Sequence, residues 1–486
     1  MKGSLYDVVV VGAGPNGLAA AVRAAQAGCR VALFEAHGTV GGGVRSAELT
    51  LPGFTHDVCS AIHPMAVASP YFRSLPLEQH GLRWVQPPLP LAHPLEERAV
   101  LMDPDPERTA AQLGEDAGRY RRLFAPLIRN SEQLLEGLMR PLPRLPRHPL
   151  TLARFGLSAL QSASRLAGKF RQPESRALLA GLAGHAVLPL EAPGTSAIAL
   201  MLGMVAHTRG WPFPAGGAQM LSEALASYLR SLGGEVVTDH PVRHLGDLPP
   251  APITLLDLGP RPVLELSGTD LPGWYRRALG RYRYGPGVFK LDYALSGPVP
   301  WRDPAVAQAG TVHLGGRLEE IAAAESVVAR GGHPERPYVL IAQNSLFDPG
   351  RAPQGQHTLW AYCHVPPGST QSMTGQIEAQ IERYAPGFRD LIVARTGRTA
   401  PAYQLYNPNY VGGDVNGGQA TLWQLLSRPL PTASPYRTAR RGLYLCSAAT
   451  PPGGGVHGMC GFHAAETALR DFRLISEAPS ALLSSG

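Results

Sequence analysis

Four consecutive β-branched residues, Val8 to Val11, lead into a glycine turn and then into a small, alanine-rich stretch from Asn16 to Ala27. A short apolar run without alternation predicts a parallel strand buried on both faces. The stretch after it predicts a helix that stops at Gly28. Arg30 to Phe34 resumes as a second strand, so the chain opens with one βαβ unit.

The pattern then changes several times. Residues 86–104 are proline-rich and predict a break. Leu123, Leu127, Leu134, Leu135 and Leu138 fall near helical spacing within 107–140. Arg140 to Pro149 holds four prolines and reads as a connector, with a further helix over 150–170. Pro212 to Gly217 is a turn opening a helix from Gln219 to Leu232, followed by a strand in Gly233–Thr238 and another in Ile253–Leu258. Alternating segments between 284 and 365 predict a mixed or antiparallel sheet. The end returns to the opening theme: a strand over Leu443–Ser447, a glycine-rich loop, and a helix from about Phe462 to Leu474. No internal repeat is visible. Segments of nucleotide-binding character thus lie at the start, near 214–260 and at the end. This predicts an α/β fold with a discontinuous Rossmann-like domain over 1–95, 211–275 and 432–486. Residues 96–210 and 276–431 are expected to form an α+β substrate or cap domain on a mixed sheet.

At 486 residues the chain is long enough for two or more domains, and 44% hydrophobic residues fit a folded protein. The net charge of +7 changes little. Only Lys2, Lys169 and Lys290 are lysines, and the arginines are scattered, which argues against a nucleic-acid partner. One exception is 137–173, which has no acidic residue. There Arg140, Arg144, Arg147, Arg154, Arg165, Lys169 and Arg171 alternate with Leu150, Leu152, Phe155, Leu157 and Leu160. That composition suits either contact of 140–171 with an anionic membrane surface or an ordinary solvated helix pair. Five cysteines, at 29, 59, 363, 446 and 460, form no CxxC pair and predict reduced thiols in a cytoplasmic protein. No apolar stretch reaches the roughly 18–20 residues needed to span a bilayer, and the run at Val8 is too short for a secretory leader. No metal-ligand spacing and no Ser-His-Asp arrangement is present.

Gly12-Ala-Gly-Pro-Asn-Gly17 sits between the first strand and its helix, and Glu35-Ala36 ends the next strand. In that context each residue has a physical task. Gly12 permits the tight turn, Gly14 admits a pyrophosphate to the backbone, and Gly17 lets helix and strand pack closely. Pro15 and Asn16 open the helix, whose N-terminus favours anions. An acid at 35 accepts from ribose hydroxyls and disfavours a 2′-phosphate, so NADP is not expected. This unit alone leaves FAD and NAD open. Two further clusters, Gly41-Gly-Gly-Val-Arg-Ser46 and Gly453-Gly-Gly-Val-His-Gly458, favour FAD, whose long isoalloxazine end needs a second close backbone approach.

These motifs resemble the phytoene desaturase and carotenoid isomerase branch of the amine-oxidase-like flavoproteins. The likeness is greatest to phytoene-dehydrogenase-related proteins of the pyridine nucleotide-disulfide oxidoreductase domain-containing protein 2 type. Beside the first unit, it rests on Pro52-Gly-Phe-Thr-His-Asp57, Phe213-Pro-Ala-Gly-Gly217, Gly233-Gly-Glu-Val with Val242, and Leu256-Asp-Leu-Gly-Pro260. It also rests on Tyr444-Leu-Cys-Ser-Ala-Ala-Thr-Pro-Pro-Gly-Gly-Gly-Val-His-Gly458. The resemblance implies FAD near Gly42, Gly43, Arg45 and Val242, with Ala448 and Ala449 by the pyrophosphate and ribitol. Gly455, Val456, His457 and Gly458 would lie by the isoalloxazine. The family often has arginine directly after its glycine pair, where this chain has Gly43, with Arg45 two residues later. The Val-His-Gly-Met-Cys-Gly ending also differs from the Ile-Pro-Gly-Val form of bacterial phytoene desaturases.

The expected activity is flavin-dependent dehydrogenation of a long apolar, isoprenoid or carotenoid-like substrate. A flavin-dependent isomerase or hydratase and a non-catalytic flavin-binding protein stand as alternatives. His457 is the candidate catalytic group, able to move a proton or only to pack within its loop. His56 and Asp57 read as structural, and Tyr410 and Trp423 as core aromatics or as the rim of a substrate entrance.

Overall fold

A computed structural model describes residues 5–141 and 146–473. Arg144, Leu474 and the rest of 474–486 lie outside the described residues. The opening βαβ unit forms as its pattern predicts: Val8–Val11 and Val31–Phe34 are buried parallel strands joined by the helix Pro15–Gln26. They stand inside a five-stranded parallel sheet ordered Leu443–Leu445, Ile253–Leu256, Val8–Val11, Val31–Phe34, Glu235–Val237. The sheet thus draws its strands from the start, the middle and the end of the chain. Its C-terminal edges converge on the glycine turn, where nucleotides bind in doubly wound sheets.

The helix Met459–Asp471 packs directly on Pro15–Gln26. Gly461 makes that approach possible, because a Cβ there would collide with the Asn16 carbonyl. Gly17 does the same a layer below, against the Gly12 carbonyl. A buried Arg23–Glu466 ion pair at 2.6 Å links the two helices farther along.

A seven-stranded mixed sheet forms the second layer. Its order is Ile392–Arg398, Gly287–Leu295, His357–Val365, Val339–Ala342, Ala309–Leu314, Leu89–Pro94, Ala99–Met102. Every pairing is antiparallel except that of Ala309–Leu314 with Leu89–Pro94. This differs from the expected break over 86–104. Pro90 and Pro94 flank Leu91 and Ala92, the positions paired on both sides, so no buried ladder loses a donor. The strand Leu89–Pro94 belongs to this sheet although it precedes residue 95, the expected boundary of the nucleotide-binding part. The helix Pro173–Gly184 packs on the strands Leu89–Pro94 and Ala99–Met102 at one edge of this sheet, and Thr195–Thr208 packs on that helix. The expected helix over 150–170 is two, Pro149–Ala159 and Ala163–Ala167. No helix among the described residues is long and apolar enough to cross a membrane.

Candidate functional site: a glycine cradle continuous with an apolar arm

The two sheets enclose one continuous cavity of about 1140 Å³. That exceeds the roughly 300–1,000 Å³ of a drug-sized site and leaves room for a large cofactor together with a second molecule.

At one end lies the cradle. Gly12 has φ +97°, the left-handed region that suits glycine, and starts the turn. Gly42 presses on the turn from the second glycine cluster: a Cβ there would stand 3.1 Å from the Gly14 Cα. The Gly41 N–H donates to the Ala13 carbonyl at 2.8 Å, so the two clusters form one wall. Asn16 is buried here, and its Oδ1 has no hydrogen-bond partner among the described residues. Glu35 accepts from the N–H groups of Ala13 at 2.8 Å and His37 at 2.9 Å, and from Arg45 at 2.9 Å. A carboxylate offers about four acceptor sites, so about one is left for a ligand hydroxyl. Arg45 is buried and also donates to the Thr39 carbonyl, while its guanidinium lies 5.6 Å from the Tyr406 ring. It fixes Glu35 in place.

Gly12, Gly14, Pro15, Asn16, Glu35, Ala36, Gly42, Gly43, Arg45, Val242, Ala448, Ala449, Gly455 and Val456 all line this cavity. Gly17, His457 and Gly458 do not. Gly17 is the packing glycine described above. His457 is 2% exposed and turns into its own loop, where Nδ1 accepts from the Met459 N–H at 3.1 Å. The Ser69 hydroxyl holds the His457 carbonyl at 2.6 Å, and burial pushes the imidazole down to about 4. The ring of His457, the expected catalytic group, thus lies outside the cavity lining and packs within the C-terminal loop. Gly458 is closed off by Phe72 and Ala19. The loop is held from the other side by Arg428, buried and donating to the Ala448 carbonyl at 3.0 Å.

Sequence reasoning passed over three groups. Asp257 ends the strand Ile253–Leu256 and reaches under the glycine turn, accepting from the Gly17 N–H at 2.9 Å. Burial, with a contribution from Glu35, raises its carboxyl to about 7. Lys290 lines the cavity from the strand Gly287–Leu295 and pairs with Asp292 two residues on, both side chains being buried. Burial lowers the lysine while Asp292 opposes that shift, and His56 backs the pair at 3.5 Å. The signal was present, since Lys290 is one of three lysines and stands inside an apolar strand. His185 is the third.

Beyond the cradle runs an arm lined by Ile198, Met201, Leu202, Trp211 and Leu340. Tyr410 is buried beside Cys59 and lines the cavity, whereas Trp423 is 72% exposed on the surface and is no core residue. Asp57 is structural: it pairs with Arg351 at 2.6 Å and accepts from the Ala218 N–H at 2.7 Å. All five cysteines are free thiols. Burial raises Cys446 and Cys460, which removes thiolate character. No group of three potential ligands suits a metal ion among the described residues.

Residues 10–75 match the family model of the NAD(P)-binding Rossmann-like domain. The chain is 26% identical to pyridine nucleotide-disulfide oxidoreductase domain-containing protein 2 of Mus musculus, over 96% of this chain and 94% of that protein. It is 22% identical to a subunit of the limonene dehydrogenase of Castellaniella defragrans, over 96% and 95% of the two chains. A solved putrescine oxidase variant, from a redesign of its cofactor binding, superposes with a TM-score of 0.61 at 18% identity, over 97% and 99%. The chain therefore carries a Rossmann-like domain within the fold seen in putrescine oxidase, with mixed α/β sheets.

Proposed function

We propose that this protein is an FAD-dependent oxidoreductase that dehydrogenates a long apolar, isoprenoid-like substrate. The observation that carries the reading is the single cavity joining the glycine cradle to the apolar arm. The residues fit FAD: the cradle glycines admit a backbone approach, Asn16 Oδ1 lacks a partner among the described residues, and Glu35 keeps about one acceptor site. Gly12, Gly14, Gly42, Gly43 and the Ala448–Ala449 and Gly455–Val456 segments would hold it. When bound, a flavin supplies the hydride acceptor, so the protein needs no nucleophile of its own. The chain's task is to orient the substrate along the arm, keep water out, and place the Lys290–Asp292 pair where a proton can be held. Similarity to a subunit of a protein named limonene dehydrogenase supports an isoprenoid body. Disulfide chemistry, named in the mouse relative, is not included in the proposal, because the described cysteines are unpaired, separate thiols.

Peripheral membrane contact belongs to the proposal. Leu150, Leu157 and Leu160 are 60–76% exposed, and Trp423 and Leu426 are 72% and 55% exposed. Gly194 joins the two sets: its N–H donates to the Leu160 carbonyl at 3.2 Å, and it packs against Leu422. With Arg154 and Arg165 exposed nearby, the patch suits an anionic lipid surface supplying an apolar substrate.

The test is the spectrum of the purified protein after denaturation, followed by anaerobic bleaching against isoprenoid lipids. Released FAD and bleaching that needs an acceptor for turnover are expected. Absence of released flavin, with no thermal shift on added FAD, overturns the cofactor. Turnover without any acceptor would replace dehydrogenation by isomerisation or hydration, and flavin that no lipid reduces would point to a binding protein.

A further inference from the structure

A line of histidines ends in the apolar arm. His185 caps the helix Pro173–Gly184 and lines the arm, its ring 6.2 Å from that of Trp211. Its Nε2 meets His313 Nε2 at 3.0 Å. Behind them His93 donates from Nε2 to the Gly316 carbonyl at 2.8 Å. The Nδ1 atoms of His93 and His313 have no partner among the described residues, and both face Gly181, within 2.8 Å of where a Cβ would stand.

Two facing Nε2 atoms can share only one proton. If His185 supplies it, its Nδ1 is bare and can only accept. If His313 supplies it, His185 carries its proton on Nδ1 and can only donate. One tautomer exchange between the two rings therefore switches the atom that His185 has left for the arm. Both rings are neutral at pH 7, because burial pushes His185 down to about 3 and His313 well below its ordinary value. The arm matches no formal charge. Of the cavity's basic groups, Lys290 is taken by Asp292 and Arg45 by Glu35; Arg428 donates to the Ala448 and Gln419 carbonyls beside the C-terminal loop, and Arg243 lies three residues past His240, whose N–H donates to the Glu35 carbonyl at the cradle. The acidic residues that line the cavity are Glu35, Asp257 and Glu265, of which Glu35 and Asp257 stand at the glycine turn.

We propose that His185, backed by His313, is a head-group site for a neutral oxygen, so that the substrate is an apolar chain ending in a hydroxyl or a carbonyl. A hydroxyl meets the accepting tautomer and a carbonyl the donating one, so the same pair takes either oxidation level. The body of the molecule lies along Ile198, Met201, Leu202 and Leu340. The inference rests on the cavity being the substrate site of the proposed oxidoreductase, and it narrows that substrate class. The chemistry disfavours amines, which meet no carboxylate along the arm beside His185, Ile198, Met201, Leu202, Trp211 and Leu340, and fatty carboxylates, which meet no cation there.

One isoprenoid body with five endings tests it: farnesol, farnesal, farnesoic acid, farnesylamine and the hydrocarbon farnesene. Affinities for the purified, flavin-loaded protein are read from quenching of tryptophan fluorescence, since Trp211 and Trp360 line the cavity. Farnesol and farnesal are expected to bind about tenfold more tightly than farnesene, the ratio for one buried hydrogen bond. The acid and the amine should gain nothing over the hydrocarbon. His185→Leu should erase the preference while keeping farnesene affinity. A flat panel, a charged ending that binds best, no binding of the alcohol at its solubility limit, or an unchanged preference in His185→Leu overturns the proposal. The wild-type panel decides the matter even if the variant does not fold. If the purified protein releases no flavin, the oxidoreductase reading fails while the head-group ratios, measured on the same chain, still stand or fall separately.

Discussion

Replacing Asp257 by asparagine should free both stability and cofactor retention from their dependence on pH. The carboxyl is buried beneath the glycine turn, accepts from the Gly17 N–H at 2.9 Å, and would stand 2.7 Å from a Cβ on Gly14. Burial is the main reason its pKa rises from 3.8 to about 7, with Glu35 adding to the rise and the Gly17 and Gly14 N–H groups opposing it. The sign follows from which state holds the proton more tightly. The folded chain does, so the stability Asp257 contributes is fully present below pH 3.8 and is lost as pH rises through about 7. At about 1.36 kcal/mol per decade of proton affinity, that interval corresponds to about 4 kcal/mol. Asparagine keeps the size and an acceptor for Gly17 but carries no charge. Urea unfolding of the flavin-free protein should therefore show Asp257→Asn more stable than wild type at pH 8.5 by up to about 4 kcal/mol, with the gap closing toward pH 4. The cofactor sharpens the effect. In the proposed FAD complex a pyrophosphate at the same helix N-terminus would add negative charge beside Asp257, so binding would draw a proton onto it. Titration of FAD fluorescence should show wild-type affinity falling up to about tenfold per pH unit above 7, and a flat profile for the variant. Parallel profiles would refute the reasoning.

Lys290→Met strands the buried Asp292 carboxylate and should cost about 3–5 kcal/mol in urea unfolding. Adding Asp292→Asn should recover most of that loss, and simple additivity would contradict the pairing. Gly461→Ala should destabilise by about 1–3 kcal/mol, because its methyl group meets the Asn16 carbonyl; a neutral effect on the unfolding midpoint would show that the two helices have slack. In flotation with vesicles rich in anionic lipid, Leu157→Glu combined with Trp423→Glu should abolish binding while leaving flavin content unchanged. Undiminished flotation would remove the patch from the account.

The parallel sheet was legible because its strands are short runs of buried apolar residues, at Val8–Val11, Val31–Phe34 and Ile253–Leu256, each followed by a turn signal. The strand Leu89–Pro94 was not, since proline counts as a breaker and only the register shows that Pro90 and Pro94 flank the doubly paired positions. Fourteen of the seventeen expected cofactor residues share one cavity, because glycine spacing constrains backbone, and backbone is what a dinucleotide touches. Side-chain direction is a different matter. The sequence around His457 looks open, full of glycine, yet the anchoring of its carbonyl by Ser69 turns the ring inward. Lys290, Asp257 and His185 come from three distant segments, and no local pattern tells that they face one space.

The parallel sheet imposes an order on synthesis. Its central strand Val8–Val11 is made more than two hundred residues before one neighbour, Ile253–Leu256, and more than four hundred before the edge strand Leu443–Leu445. The helix Met459–Asp471, which covers Pro15–Gln26, is made later still. On the ribosome the glycine turn therefore waits, with Val8–Val11 unpaired on one side and its helix uncovered, while more than four hundred residues are added. A chaperone that shields apolar strands accordingly has its longest task in this sheet at Val8–Val11.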